Sequence, residues 1–159
     1  MAAVHSGARQ RPIGISILAV LAIITGVLNL LFALALMGVG TFGVTFGILA
    51  PPEEFVPRSG QPLDRMAVLW QALGFMLDAL GYFVGAALNL LFGVGAWGLR
   101  PWAWWAGMLA NALPVLGALL SAAQGQQTLN GALWSVLLNL LILGYLLTNG
   151  VRRAFGQAV

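Results

Sequence analysis

The sequence predicts an all-α fold: a bundle of four transmembrane helices, with interfacial helices in the outer segment between the first two spans. Three observations predict it. The chain of 159 residues is 60% hydrophobic and only 7% charged, whereas a soluble domain carries about a quarter charged residues. Its apolar runs have the length of a bilayer, and arginine and tryptophan gather where those runs end. Residues 1–159 are therefore expected to form a single integral membrane domain.

The first predicted span covers residues 13–37, an uncharged apolar run. As a helix it would be about 37 Å long, enough to cross a hydrocarbon core of about 30 Å with some tilt. Gly38 and Gly40 predict the end of this helix, because glycine lowers helix propensity and favours the C-cap. The outer segment is expected to occupy residues 38–78, with an aqueous loop at its proline-rich and charged centre.

The second predicted span covers residues 79–99. Asp78 lies 22 residues before Arg100, which is about 33 Å along a helix and close to one hydrocarbon thickness. The two charges can then lie at opposite interfaces, and residues 66–77 are expected to form a helix on the membrane surface. If the span were shifted to residues 66–90, Asp78 would lie near the midplane, where an acid is a functional candidate.

The third and fourth predicted spans cover residues 102–122, with a kink at Pro114, and residues 131–148. Four spans place both termini on one side of the membrane. That side is predicted to be the cytoplasm of a multi-pass cell-membrane protein, because it holds most of the arginines. The arginines on this side are Arg9, Arg11, Arg100, Arg152 and Arg153, against Arg58 and Arg65 on the other.

Aromatic side chains surround the turn at Arg100. Tryptophan is enriched at the headgroup level of membranes because its ring is amphipathic. This pattern predicts that the tryptophans anchor the turn at the interface, and a ligand or lipid site is the alternative. The residues concerned are Trp97, Trp102, Trp104 and Trp105.

Each predicted span carries one asparagine, namely Asn29, Asn89, Asn111 and Asn139. In three spans, two small residues precede the amide at intervals of four, which places all three on one helical face. The small residues are Gly81 and Gly85 in the second span, Ala103 and Gly107 in the third, and Gly131 and Ser135 in the fourth. Such stripes predict close helix packing with interhelical hydrogen bonds. The alternative is a polar cavity lined by the amides.

The residues needed for most catalytic chemistry are missing. The chain has no cysteine, and its one histidine is His5 in the N-terminal tail. A zinc site or a Ser-His pair within the membrane is therefore not expected. No catalytic residue, metal or cofactor is predicted, and seven scattered arginines do not predict a nucleic-acid partner.

The chain resembles a broad group of small, uncharacterised four-span membrane proteins of bacteria and archaea in two segments. These are GLRPWAWWAG at residues 98–107 and YLLTNGVRRAFG at residues 145–156. The resemblance covers about the last 60 residues of the chain, and the first 65 only in layout. It implies the four-span topology and implies no activity.

The leading prediction for function is structural. The chain is expected to contact the lipid bilayer and to bind other membrane helices, either copies of itself or a larger membrane complex, because small residues line the helices without a catalytic group beside them. The alternative is an oligomeric carrier or channel for a small solute or ion, lined by Asp78 and the asparagines. A lipid-binding or signalling sensor that uses the loop at residues 51–65 is a third hypothesis.

Overall fold

The computed structural model describes residues 11–49, 65–123 and 129–158. Over this part of the chain the regular structure is α-helical, without a strand, which confirms the all-α class. The helices are α1 (Ile13–Leu49), α2 (Arg65–Trp97), α3 (Pro101–Ala123), α4 (Leu129–Leu146) and α5 (Asn149–Ala154).

Three helices, α1, α2 and α3, are long and apolar enough to span a membrane. Helix α3 continues through Pro114 to a length of 23 residues, or about 35 Å, which matches one hydrocarbon core. Helix α4 is shorter, at 18 residues, or about 27 Å. The structure thus supports a membrane protein with at least three helices of spanning length.

The predicted end of the first helix at Gly38 and Gly40 is wrong. Helix α1 continues through both glycines to Leu49, over 37 residues in total. The physical reason is visible at Gly40, which is buried. A Cβ atom at Gly40 would lie 2.7 Å from Cγ of Met76, so this glycine brings two helices together instead of capping one.

The separate surface helix predicted at residues 66–77 is also not observed. Helix α2 runs without a break from Arg65 to Trp97, over 33 residues. Asp78 therefore lies inside a continuous helix, and its side chain is exposed on the described chain. The predicted loop residues 51–64 lie outside the described part of the chain.

The chain divides into two compact units. The first comprises Met1–Gly26 and Ala87–Val159, and the second comprises Val27–Ala86. The first unit contains the start of α1, the end of α2 and all of α3, α4 and α5. The second contains the remainder of α1 and α2.

The core of the first unit combines small residues with a few large ones. Phe155, Ile15 and Leu146 are its largest fully buried side chains. Buried alanines surround them, among them Ala19 and Ala96, so the helices approach one another closely. The rest of the apolar surface is exposed on most faces of the helices, as expected for helices that face lipid.

A seven-residue spacing of small residues organises α1 and α2. In α1 the buried small residues at this spacing are Ala19, Gly26, Ala33, Gly40 and Gly47, and in α2 they are Ala72, Ala79, Ala86 and Gly93. A repeat of seven keeps one face of a helix turned toward its partner, as in a left-handed coiled coil. We call these two sets the heptad rows.

In the first unit the heptad rows bring the two helices into contact. A Cβ at Gly26 would lie 2.8 Å from Cγ of Leu90. A Cβ at Gly93 would lie 2.5 Å from Cγ1 of Ile23 and 2.9 Å from the carbonyl oxygen of Ala19. Residue numbers that rise in α1 meet numbers that fall in α2, so the two helices are antiparallel.

The second unit shows the same packing. A Cβ at Gly43 would lie 2.9 Å from Cβ of Ala72, and one at Gly47 would lie 2.9 Å from Cδ2 of Leu69. The rings of Phe32 and Tyr82 stack with centroids 5.9 Å apart. Glycine on α1 thus meets larger side chains on α2 in both units.

This packing predicts opposite effects for two alanine substitutions on α2. Gly93→Ala places a Cβ against a backbone oxygen that cannot rotate away, and overpacking of this kind costs about 1–3 kcal/mol. Gly81→Ala meets nothing within 4 Å, so higher helix propensity should leave stability unchanged or raise it by up to about 1 kcal/mol. Unfolding in mixed micelles, followed by far-UV circular dichroism, measures both. Equal stability of the two variants would contradict the packing described here.

Candidate functional site

One end of the first unit joins three separate segments of the chain. Arg11, just before α1, donates a hydrogen bond from Nη2 to the carbonyl oxygen of Trp97, the last residue of α2. Its guanidinium carbon also lies 5.4 Å from the centroid of the Trp97 ring. A cation is favourable at the C-terminus of a helix, where the carbonyl groups lack intrahelical partners. Gln157 donates from Nε2 to the carbonyl oxygen of Pro101, at 3.0 Å. We call this region the arginine end.

Two turns of the same type shape the arginine end. After α2, Arg100 N–H donates to the Gly95 carbonyl and Leu99 N–H donates to the Ala96 carbonyl. After α5, Gln157 N–H donates to the Arg152 carbonyl, and Gly156 N–H donates to the Arg153 carbonyl. Both pairs of bonds form the Schellman pattern, which requires a left-handed residue after the helix. That residue is Gly156 (φ 72°) in one turn and Leu99 (φ 50°) in the other.

Leu99 occupies a backbone region that costs a branched residue about 1–2 kcal/mol. Its side chain packs against the core of the first unit, and burial of that side chain offsets the cost. The turn therefore holds Arg100 at a defined position, exposed to the surroundings.

Aromatic side chains pack beneath the arginine end. Phe155, which follows α5, is fully buried, and its ring centroid lies 6.5 Å from that of Phe92. Trp104 donates a hydrogen bond from Nε1 to the carbonyl oxygen of Leu146, at 2.9 Å. The C-terminal segment is thus part of the core, where Phe155 contacts α2 and Gln157 bonds to the first residue of α3.

The four tryptophans predicted as interface anchors separate into two kinds. Trp97, Trp102 and Trp105 are exposed, as an anchor in the headgroup region would be. Trp104 is only 6% exposed and belongs to the core, so the structure departs from the prediction at this residue. A buried indole N–H requires an acceptor, and the Leu146 carbonyl supplies it here. This bond links α3 to α4.

The charge of the first unit is of one sign. Its sequence contains Arg9, Arg11, Arg100, Arg152 and Arg153 and no aspartate or glutamate. The Nε atoms of Arg11 and Arg152 are buried, and within the described residues neither makes a hydrogen bond. The guanidinium groups therefore have no carboxylate side chain within their own unit.

A shallow, wide-open apolar cleft of about 260 Å³ lies between α1 and α4 in the same unit. Tyr145 lies against Gly14 at its wall. The first lining residue lies three residues after Arg11, and the last lies four residues before the start of α5. Its lining residues are Gly14, Ile17, Leu18, Leu141, Ile142 and Tyr145.

The four asparagines of the predicted spans have different local partners. Asn111 is 8% exposed and donates from Nδ2 to the Gly107 carbonyl of its own helix, at 2.8 Å. Asn29, in the second unit, lies near Gly85, where a Cβ would be 3.4 Å from its Nδ2. Asn89 and Asn139 are half-buried and have partners of their own. This hydrogen bond of the Asn111 amide thus lies within α3.

The predicted stripes of small residues also differ in their surroundings. A Cβ at Gly107 would lie 2.6 Å from the ring of Phe92, so this glycine serves close packing. Gly81 has open space around it. Gly131 and Ser135 lie on α4, but the surroundings of these two residues are outside the described part of the structure. Packing therefore follows the heptad rows more closely than the stripes at intervals of four.

No group of three or more potential metal ligands of the His, Cys, Asp or Glu type occurs among the described residues. Asp78, the acid in the described part of α2, is exposed. The described residues thus offer an arginine end and an apolar cleft as the chemical features of the first unit.

Comparison of the chain with protein-family models, curated proteins and solved structures finds no match.

Three features of the site were not predicted from the sequence. The cation–π contact of Arg11 with Trp97 and the burial of Phe155 join segments far apart in the chain, and no local pattern predicts them. The heptad rows are visible in the sequence as small residues at intervals of seven, for example Ala72, Ala79 and Ala86. The sequence prediction used the small residues at intervals of four and did not use those at intervals of seven.

The two kinds of tryptophan predict different responses to the same substitution. Trp104→Phe removes the indole donor and leaves the buried Leu146 carbonyl with one partner fewer, at a cost of about 1–3 kcal/mol. Trp105→Phe changes an exposed ring, so its effect should stay within about 0.5 kcal/mol. Unfolding in mixed micelles compares the variants. A Trp105 variant as unstable as the Trp104 variant would contradict the assignment of Trp104 to the core.

Proposed function

We propose that this chain is a small multi-pass membrane protein of the structural, interaction type, which docks onto helices of another membrane protein or of a second copy. The observation that carries the proposal is the length of α1 and α2. Their 37 and 33 residues correspond to about 55 Å and 50 Å, against a hydrocarbon core of about 30 Å. To fit α1 within that core would need a tilt of about 57°, beyond the usual range of about 0–40°.

The excess length is apolar and exposed. About 21 residues of each helix, counted from the arginine end, cross the core. Beyond them lie residues 34–49 of α1 and 65–76 of α2, which we call the apolar extension. Phe42, Leu49 and Trp70 of this extension are 72%, 75% and 67% exposed. Apolar surface in water costs about 25 cal/mol per Å², so a partner that covers the extension stabilises it.

The alternative function is an oligomeric carrier or channel lined by Asp78 and the asparagines. Asp78 is exposed on the single chain, so it would line a path only where several copies meet. Liposomes that contain the purified chain distinguish the two functions. Solute flux that Asp78→Asn abolishes would favour the carrier and contradict a purely structural role.

The proposed topology has four spans, with α4 as the fourth and both termini in the cytoplasm. Because the chain has no cysteine, single cysteines report their own side of the membrane. Ser59→Cys should react with an impermeant maleimide in intact cells, whereas Ser6→Cys and Ala158→Cys should react only after permeabilisation. Different accessibility of residues 6 and 158 would show an odd number of spans and contradict this topology.

The docking proposal predicts where the chain meets its partner. A photo-crosslinking amino acid at Trp70 should give a discrete protein adduct in native membranes. The same amino acid at Leu116 on α3, which is 56% exposed, should give lipid adducts only. The mass of the Trp70 adduct separates a second copy from a different protein. If Trp70 gives only lipid adducts and the chain purifies alone as a monomer, the docking proposal is wrong.

A further inference from the structure

The apolar cleft between α1 and α4 has an arginine close in sequence to the lining residues of each of its two walls. Arg11, two residues before the start of α1, precedes the lining residue Gly14 by three residues. After α4, Arg152 follows the lining residue Tyr145 by seven residues, across the turn into α5. These are the two arginines whose Nε atoms are buried without a hydrogen bond in the described structure. Two guanidinium groups with an unsatisfied donor thus lie three and seven residues along the chain from lining residues of an open apolar cleft.

The first unit does not supply the counter-charge. Its sequence contains five arginines and no carboxylate side chain. Arg11 uses one nitrogen for the Trp97 carbonyl, and Arg152 uses one for the Ala158 carbonyl. Both are neutral acceptors, so no side chain of the first unit compensates these two positive charges. Guanidinium groups bind phosphate oxygens with short, charge-assisted hydrogen bonds.

We propose that this site binds one anionic phospholipid: its acyl chain occupies the cleft between α1 and α4, and its phosphate contacts Arg11 and Arg152. The cleft wall is formed by aliphatic side chains, one tyrosine and one glycine, which suits a hydrocarbon chain. Basic pockets between membrane helices on the cytoplasmic side commonly hold anionic headgroups. The inference depends on the membrane location of the chain and not on the proposed docking role.

The cleft favours a lipid over a free anion. Inorganic phosphate would satisfy the arginines but leave the apolar lining of the cleft uncovered. A zwitterionic lipid would fill the cleft, but its own cationic group would compete with the arginines for the phosphate. An anionic phospholipid matches both parts of the site.

The test measures lipid that stays bound to the full-length protein in mild detergent, by native mass spectrometry. The probes are phosphatidylglycerol and phosphatidylcholine with identical acyl chains. We expect one phosphatidylglycerol per chain, retained at least about tenfold better than phosphatidylcholine, a difference of about 1.4 kcal/mol. Addition of inorganic phosphate should leave retention unchanged. Release by inorganic phosphate, or equal retention of the two lipids, would overturn the proposal.

Matched variants locate the lipid. Leu141→Trp fills the cleft and should lower phosphatidylglycerol retention at least about tenfold. Leu138→Trp, at a similarly exposed residue of α4 outside the cleft lining, should retain the lipid. Arg152→Gln should reduce retention severalfold, whereas Arg65→Gln, in the second unit, removes the same charge and should not.

Each variant is first checked for a monodisperse elution profile and unchanged helicity, so that misfolding is recognised separately. Retention unchanged in folded Leu141→Trp would show that the lipid does not occupy the cleft. Equal losses for Arg152→Gln and Arg65→Gln would show attraction by net charge alone. Either result overturns the proposed site, and neither bears on the crosslinks that test the docking role.

Discussion

The close approach of α1 and α2 through small side chains is the constraint on which the other features depend. Lipid tails are as apolar as leucine, so membrane helices associate chiefly through van der Waals packing and hydrogen bonds rather than through a hydrophobic force. Glycine and alanine at every seventh position allow this packing in both units, at Gly26 and Gly93 in one and at Gly40 and Ala72 in the other. Because the glycines serve packing, they do not end the helix, and α1 becomes longer than a bilayer requires.

The two ends of α1 consequently carry different chemistry. Its first turn adjoins Arg11, in a unit whose sequence has arginines and no carboxylate side chain. Its last turns expose large apolar residues, such as Phe42 and Leu49. An arginine end suits the anionic headgroups of lipids, and an apolar extension suits another protein surface. This combination supports the proposed role as an interaction subunit.

The sequence predicted the helical class and the end of α2 close to Arg100. Both predictions were possible because apolar runs of bilayer length and interfacial arginines are local signals. The sequence prediction misplaced the other end of α2, because a charge such as Asp78 can lie on an exposed face inside a continuous helix. Within the candidate site, Trp97, Trp102 and Trp105 are exposed, whereas Trp104 is buried. That these tryptophans anchor the turn at the interface stays a prediction. Adjacent residues of a helix lie about 100° apart, so Trp104 and Trp105 could not share one environment.

Composition and spacing alone determined that this chain has the apolar helices of a membrane protein and that those helices pack through small residues. Both properties follow from the kinds of side chain present and from the helical repeat. Only the tertiary structure decided which glycines pack, which tryptophan donates to the Leu146 carbonyl, and which arginines lie beside an apolar cleft. These outcomes depend on contacts between residues far apart in the chain, such as Gly14 with Tyr145 and Phe92 with Phe155, and no local pattern encodes such contacts.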